Sequence, residues 1–274
     1  MNEFQTALDH VHATLSDLRE QGVELRASAD ALARLAETPT RSAAPAPGPA
    51  PVVETRPPSP KPAAPAGSKA ARLDALRGPV LACMKCAHLA KSRTQVVCGV
   101  GTPDAQVLFV GEAPGEDEDL QGEPFVGKAG QLLTKIIVAM GFSREDVYIA
   151  NVLKCRPDVP AGTTGNRKPK PEEMQTCLPY LRQQIDIIQP RALVALGATA
   201  MEGLLGAKEP MASLRGRWHD FHGIPLMATY HPAYLLRNQS LTEKRKVWED
   251  MLLVLERLGK TISEKQRGFF LSKG

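Results

Sequence analysis

Four short, continuously apolar runs, at residues 106–110, 147–153, 192–197 and 225–230, alternate along this chain with longer stretches of helical periodicity at about 128–141, 171–188, 198–206 and 241–258. Runs without polar alternation suit strands buried on both faces, and strands separated by helices must be joined by crossovers. The pattern therefore predicts an α/β fold in three layers, α/β/α, around a central four-stranded parallel sheet. Open sheets of this kind bind ligands outside the carboxyl ends of their strands, so the residues just beyond each run carry the functional information.

The first run passes directly into the sequence VLFVGEAPG at 107–115. Gly111, Pro114 and Gly115 fit a turn that leaves the strand sharply and lets the backbone lie close to a ligand, and the turn presents Glu112 at the strand end. The acidic EDED at 116–119 and the segment PFVGKAG at 124–130 extend this loop until an apolar helical pattern resumes at Leu132. The second run carries Asn151, an amide in an otherwise apolar stretch, which must be satisfied by local backbone or by a ligand. The fourth run ends in ATYHPAYLLR at 228–237, which holds His231 at the cleft rim in front of a proline. A carboxylate, an amide and an imidazole are thus expected at three strand ends.

At 274 residues, 43% of them hydrophobic, the chain can bury one sizeable core and carry an appendage. Residues 1–37 read as an amphipathic helix with an apolar seam through Phe4, Leu8, Val11, Leu15, Leu18, Leu25 and Leu32, broken at Gly22. It suits either a coiled coil, self-associating or bound to a protein partner, or a lone helix folded back on the core. Residues 43–66 are dominated by proline and alanine and form part of a linker over 38–68, leaving a globular domain at 69–262 and a tail at 263–274. No apolar run approaches the roughly 20 residues needed to span a bilayer and no signal peptide is evident, so a soluble, cytoplasmic protein is expected. A net charge of +4 permits nucleic-acid binding without requiring it.

Five cysteines in such a chain argue for metal or free thiols rather than disulfides. Cys83 and Cys86 form a CxxC pair ahead of the sheet, Cys155 follows the second strand and Cys177 sits on the next helix. One pair joined by two distant single cysteines is less like a zinc ribbon than like the ligand set of an iron-sulfur cluster. Cys98, between valines and a glycine, reads as a small buried hydrophobe.

Taken together, GEAPG at 111–115 with PFVGKAG after it, NVLKCRP at 151–157, Pro171 through Cys177, and HPAYLLR at 231–237 resemble the family 4 uracil-DNA glycosylases, the iron-sulfur branch of the uracil-DNA glycosylase superfamily, over about residues 78–258. The resemblance implies a DNA repair hydrolase that flips uracil out of DNA, cuts its N-glycosidic bond and leaves an abasic site for base excision repair. It implies a structural 4Fe-4S cluster on Cys83, Cys86, Cys155 and Cys177, no cofactor for the chemistry itself, and a nucleoid-associated location. Glu112 would face the sugar, His231 would donate a hydrogen bond to uracil O2, and Asn151 would read O4 and N3–H, making these three the expected catalytic residues. Gly111, Ala113, Gly115, Glu118 and Phe125 would complete the base pocket, with Phe125 stacking on the ring and Glu118 crowding C5 against thymine. Leu235 or Leu236 would fill the gap left by the flipped base, and Lys128 and Arg237 would hold phosphates. The basic run of Arg156, Arg167, Lys168 and Lys170 reads either as a solvated loop or as a DNA-contacting loop ordered by the cluster.

Two departures stand out. The segment 158–165 is longer than the family's usual spacer, and the loop has no histidine at the place where a related branch traps DNA covalently, so turnover without a stable adduct is expected. The competing readings are an iron-sulfur DNA-binding or replication-associated module of the same fold without excision activity, and a zinc-bearing nucleotide hydrolase. The second lacks a phosphate-cradling glycine loop and a carboxylate cluster for magnesium.

Overall fold

The computed structural model of the chain describes residues 67–160, 162–163 and 165–271. The amphipathic stretch 1–37 and the linker up to residue 66 lie outside the described residues. Helix α1 (Lys69–Leu81) starts behind Ser68, whose hydroxyl accepts the Ala71 N–H at 3.2 Å, and a short α2 (Ala87–Ser92) follows. The sheet strands are β1 (Val100–Gly101), β2 (Val107–Gly111), β3 (Tyr148–Asn151), β4 (Ala192–Leu196), β5 (Trp218–Phe221) and β6 (Ile224–Thr229). Between and after them run α3 (Glu116–Gln121), α4 (Lys128–Ala139), α5 (Pro171–Ile188), α6 (Ala198–Leu205), α7 (Met211–Leu214), α8 (Pro232–Arg237), α9 (Leu241–Arg257) and α10 (Glu264–Arg267).

The sheet order is β1-β3-β2-β4-β6-β5. Its four inner strands are mutually parallel, as the alternating pattern requires, but the sheet is six-stranded rather than four-stranded because β1 and β5 add antiparallel edges. Both edges are too short for periodicity to reveal. β5 is joined to β6 through His222 and Gly223, both at positive φ (51° and 84°), the conformation a two-residue hairpin turn demands.

Successive side chains of the inner strands point to opposite faces, and both faces are covered. Leu108, Val110, Ala150, Leu193, Ala195, Leu226 and Ala228 pack against Leu181, Ile185 and Ile188 of α5 and Ala200, Met201 and Leu204 of α6. Phe109, Ile149, Val194, Leu196 and Met227 pack against Leu133 and Ile137 of α4 and Trp248, Met251 and Leu255 of α9. This is the three-layer arrangement, and it explains why the strand sequences lack polar alternation.

Because β2 lies between β3 and β4, the chain winds outward from it in both directions, and a crevice opens at the carboxyl ends of these strands. Register aligns those ends: Gly111 pairs with Asn151, and Leu196 pairs with Thr229. The loop expected after β2 contains helix α3, whose first turn is Glu116, Asp117, Glu118 and Asp119. Four acids at a helix N-terminus complement its dipole, a local signal that the loop reading passed over. Asp119 is 3% exposed and accepts the Thr94 N–H through both oxygens, at 3.0 and 2.8 Å. The C-terminal stretch forms α10, and Phe269 beyond it packs on Trp248 with ring centroids 5.2 Å apart.

Candidate active site

A pocket of about 130 Å³ opens at the strand ends, lined by Ala113, Gly115 and Glu118 beyond β2, Phe125 and Ala129 around the start of α4, Asn151 of β3, Asn166, and His231 and Ala233 beyond β6. Three strand ends that are far apart in sequence therefore do meet in one cavity. A larger apolar groove of about 500 Å³ between α4, α9, Phe269 and Phe270 shares no lining residue with it.

Gly111 explains how the walls come so close. A Cβ there would collide with Asn151 Oδ1 and with the Phe125 ring, so only glycine lets the amide and the aromatic approach across the end of β2. Phe125 is 6% exposed and holds φ at 56°, a left-handed conformation unusual for a bulky residue. Its surroundings force that conformation. Glu118 accepts the Val126 and Gly127 N–H groups at 2.9 and 3.0 Å through one carboxylate oxygen and the Gly115 N–H at 3.0 Å through the other, while Arg144 donates to the Pro124 carbonyl. Local strain maintained by its surroundings is a common property of ligand-clamping segments. Glu118 lines the pocket as expected, yet its carboxylate is occupied in clamping this loop.

Asn151 is 2% exposed, and its Oδ1 is buried with no hydrogen-bond donor among the described residues. An acceptor left so costs about 1–3 kcal/mol unless a ligand supplies the donor. His231 is the N-cap of α8, and its Nδ1 accepts the Ala233 N–H at 3.1 Å. A backbone N–H can only donate, so Nδ1 carries no proton and the ring's hydrogen sits on Nε2. Burial, with the positive charge of Arg237 adding to it, pushes the imidazole down to about 4, so the ring is neutral near pH 7. Its centroid lies 5.7 Å from that of Phe125, the planes inclined at 32°.

Glu112 does not line this pocket. Its carboxyl lies near the Thr199 hydroxyl at the start of α6, with Lys168 and Glu202 close by, and burial raises its pKa above the usual carboxylate value although Thr199 and Lys168 oppose the shift. It stands beside the cavity rather than in it. Asn166 lies on the pocket rim without having been singled out from the sequence. Its signal was the Asn-Arg pair that ends the long spacer.

The residues expected to touch DNA separate. Lys128, at the first position of α4, and Leu236 and Arg237, at the end of α8, are exposed. Leu235 is not available as a wedge: it is 4% exposed and faces the apolar groove with Leu132, Val247 and Trp248. In a six-residue helix only one of two adjacent leucines can face out, and which one is decided by α4 and α9. Of the basic run, Lys168 pairs with Glu202 at 2.6 Å and Arg156 with Glu116 at 3.7 Å, while Arg167 is held by Glu173 and Asp158.

Cys83, Cys86, Cys155 and Cys177 gather where the α1–α2 turn, the segment after β3 and helix α5 meet, near enough that Cys83 raises the thiol pKa of Cys86, Cys155 and Cys177, and Cys155 that of Cys86 and Cys177. All are free thiols, and Cys98 is separately buried in the core, its carbonyl accepting from Gln184 at 2.8 Å. Two of the four sulfurs already accept hydrogen bonds, Cys155 Sγ from Arg93 Nη1 at 3.0 Å and Cys177 Sγ from the Lys154 N–H at 3.2 Å, which suits thiolates. Burial pushes the Cys177 thiol up to about 11, so a bound cation is needed to keep it ionised at neutral pH. Among the described residues the one set of three candidate ligand atoms mutually within 4.8 Å is His88, Asp158 and Glu173. No three of the four sulfurs lie mutually within that distance, whereas all four sulfurs around a single zinc lie about 3.8 Å apart for Zn–S bonds of about 2.3 Å.

Comparison with known proteins identifies the family. Residues 98–252 match the family model for the uracil DNA glycosylase superfamily. The chain is similar to a type-4 uracil-DNA glycosylase of Thermotoga maritima, 48% identical over 58% of this chain and 81% of that protein. It is also similar to those of Archaeoglobus fulgidus, 41% identical over 63% of this chain and 87% of that protein, and Sulfurisphaera tokodaii, 38% identical over 73% and 90%.

Proposed function

The chain belongs to the type-4 uracil-DNA glycosylases of the uracil DNA glycosylase superfamily, and from that membership we propose how its pocket carries out the removal of uracil from DNA. It is a DNA repair hydrolase that cleaves the bond between uracil N1 and the deoxyribose. The same membership sets aside the non-excising binding module and the nucleotide hydrolase.

The reading of the pocket rests on Asn151, whose buried Oδ1 has no donor among the described residues, lining the same small cavity as His231. Uracil supplies the missing donor as N3–H, and the amide nitrogen of Asn151 donates to O4. Cytosine offers an acceptor and a donor in those two places, so it would leave Asn151 with two mismatches, and buried mismatches of this kind reject a substrate strongly. Phe125 stacks on the ring. Glu118 contributes to selectivity by fixing the loop that forms the pocket wall, not by a free carboxylate at C5.

Bond cleavage places negative charge on the departing base and positive charge on the sugar. His231 answers the first: its Nε2–H donates to O2 as charge develops there, and the Ala233 N–H on Nδ1 keeps the proton on the side that faces the base. Glu112 answers the second from beside the pocket. Partial burial makes its anion poorly solvated, so a positive centre forming nearby or a water to be oriented gains more from it than from a hydrated carboxylate.

The four cysteines are the ligands for a 4Fe-4S cluster, which supplies structural anchorage to the segments around it and no redox step. Lys128, Leu236 and Arg237, exposed on the helices that carry pocket residues Ala129 and Ala233, are the DNA-facing set, with Leu236 entering the stack when the base leaves it. Among the described residues no helix is long and apolar enough to cross a membrane. The test is an oligonucleotide carrying one uracil, incubated with the protein and then with alkali. Strand cleavage at the uracil is expected; an intact strand with retained DNA binding would return the reading to a binding module.

A further inference from the structure

The long spacer between Cys155 and Cys177 ends in a dense ionic node that the excision chemistry does not use. Arg167 grips Glu173 with both arms of its guanidinium, Nη2 to Oε1 at 2.6 Å and Nη1 to Oε2 at 2.9 Å. The same guanidinium donates to the Asp158 carbonyl at 2.7 Å, to the Asp158 carboxylate and to the Lys168 carbonyl at 3.1 Å. Glu173, whose side chain is 1% exposed, also takes the Lys170 N–H at 2.7 Å and contacts His88 Nε2 at 2.7 Å. His88, Asp158 and Glu173 bring three potential metal-ligand atoms together, but the Arg167 cation already binds both carboxylates, and His88 Nε2 is turned to Glu173.

The node ties three segments together. His88 lies on α2, two residues past Cys86; Glu173 lies in the first turn of α5, one turn before Cys177; Asp158 and Arg167 bracket the spacer. The residue next to Arg167 in sequence is Asn166, on the rim of the base pocket, whose amide group comes within 3.1 Å of where a Cβ on Gly115 would stand. A bidentate Arg-carboxylate pair fixes orientation as well as distance. Between residues 156 and 170 the described residues form no helix or strand, so side-chain bonds such as this node and the Lys168–Glu202 pair at 2.6 Å set where the last of them sit.

We propose that Arg167 and Glu173 form a positioning clasp that holds Asn166 at the base pocket and joins the cysteine-bearing elements to it. The proposal rests on the reading of that pocket as the uracil site. Arg167 is on this account not a phosphate contact, although its place in a basic run suggests one. Its effect is transmitted through Asn166, so the two residues must behave as a unit.

The experiment is a double-mutant cycle on the full chain, with Arg167→Ala, Asn166→Ala and the double variant. Uracil release is followed in single turnover at saturating DNA, alongside the salt dependence of DNA binding and absorbance near 400 nm. The wild-type protein is the control for the pocket reading: if it releases no uracil, that reading fails irrespective of the clasp. A misplaced pocket residue costs up to about 100-fold, so Arg167→Ala is expected to lower the saturated rate roughly 10- to 100-fold. On the Asn166→Ala background it should cost less than about twofold more, because coupled residues are not additive. Absorbance and the salt slope should be unchanged. A full, additive loss on the Asn166→Ala background overturns the proposal, as does an unchanged saturated rate with a salt slope smaller by about one, the mark of a lost phosphate contact. If Arg167→Ala does not fold, Arg167→Lys, which keeps a cation for Glu173 but not the fork, is judged by the same cycle.

Discussion

Two titratable groups flank the position assigned to uracil, and burial moves them in opposite directions: Glu112 upward and His231 down to about 4. Both shifts favour the neutral form, but on the proposed mechanism only Glu112 acts through its charge. As pH falls from 7, Glu112 is therefore protonated first, above the ordinary carboxylate range, while His231 stays neutral until about pH 4. Single-turnover rates should fall on the acid side with an apparent pKa above that of a normal glutamate; a limb centred near 6.5 would instead point to an unshifted histidine. On the proposed reading, selectivity depends on Asn151. Asn151→Asp should lower uracil release and give measurable cytosine release from a cytosine-containing oligonucleotide, because a carboxylate can accept from the exocyclic amine. No cytosine release would count against the amide as the reader of that edge.

At the scale of elements, the carboxyl end of β2 and the short helix α8 set the pocket. Gly111→Ala forces a methyl group against Asn151 Oδ1 and the Phe125 ring, an overpacking that costs about 1–3 kcal/mol and pushes the two recognition groups apart. Thermal unfolding should show the modest loss, and uracil release should fall far more than stability does. Helix α8 exposes Leu236 and buries Leu235. Leu236→Ala should slow excision from duplex DNA, where unstacking costs a few kcal/mol, and leave single-stranded substrate nearly unaffected. Equal losses on both substrates would remove the wedge role. Much of this level was legible: α5 spans 171–188 as its periodicity predicts, and the inner strands differ from their expected spans by a few residues at most. What escaped were elements specified by one local feature, such as the acidic first turn of α3, the His222-Gly223 hairpin turn and the Pro232 start of α8.

For the molecule as a whole, the cysteine centre and the base pocket share the segment between Cys155 and Cys177, so losing one should loosen the other. Cys177→Ser should abolish absorbance near 400 nm and lower the unfolding midpoint by at least roughly 4–8 °C, equivalent to about 2 kcal/mol for a domain of this size. Uracil release should fall with it. Retention of colour, midpoint and rate together would exclude Cys177 as a ligand. The thiols themselves were readable in sequence because CxxC spacing and burial-prone single cysteines are local properties. Their convergence depends on where α5 crosses the end of β3.

Sequence alone determined the layered α/β architecture and the identity of the polar groups at the strand ends, because periodicity, apolar runs and turn residues act over a few neighbours. Only the tertiary structure decided which of those groups share a cavity. It turned Glu112 toward Thr199 and out of the pocket wall, committed the Glu118 carboxylate to three backbone N–H groups, buried Leu235 on the inner face of α8, and spent the charge of Arg167 on Glu173. Each of these outcomes is settled by partners distant in sequence or by the packing of a whole loop, and a side chain's residue type does not specify which partner the folded chain will bring to it.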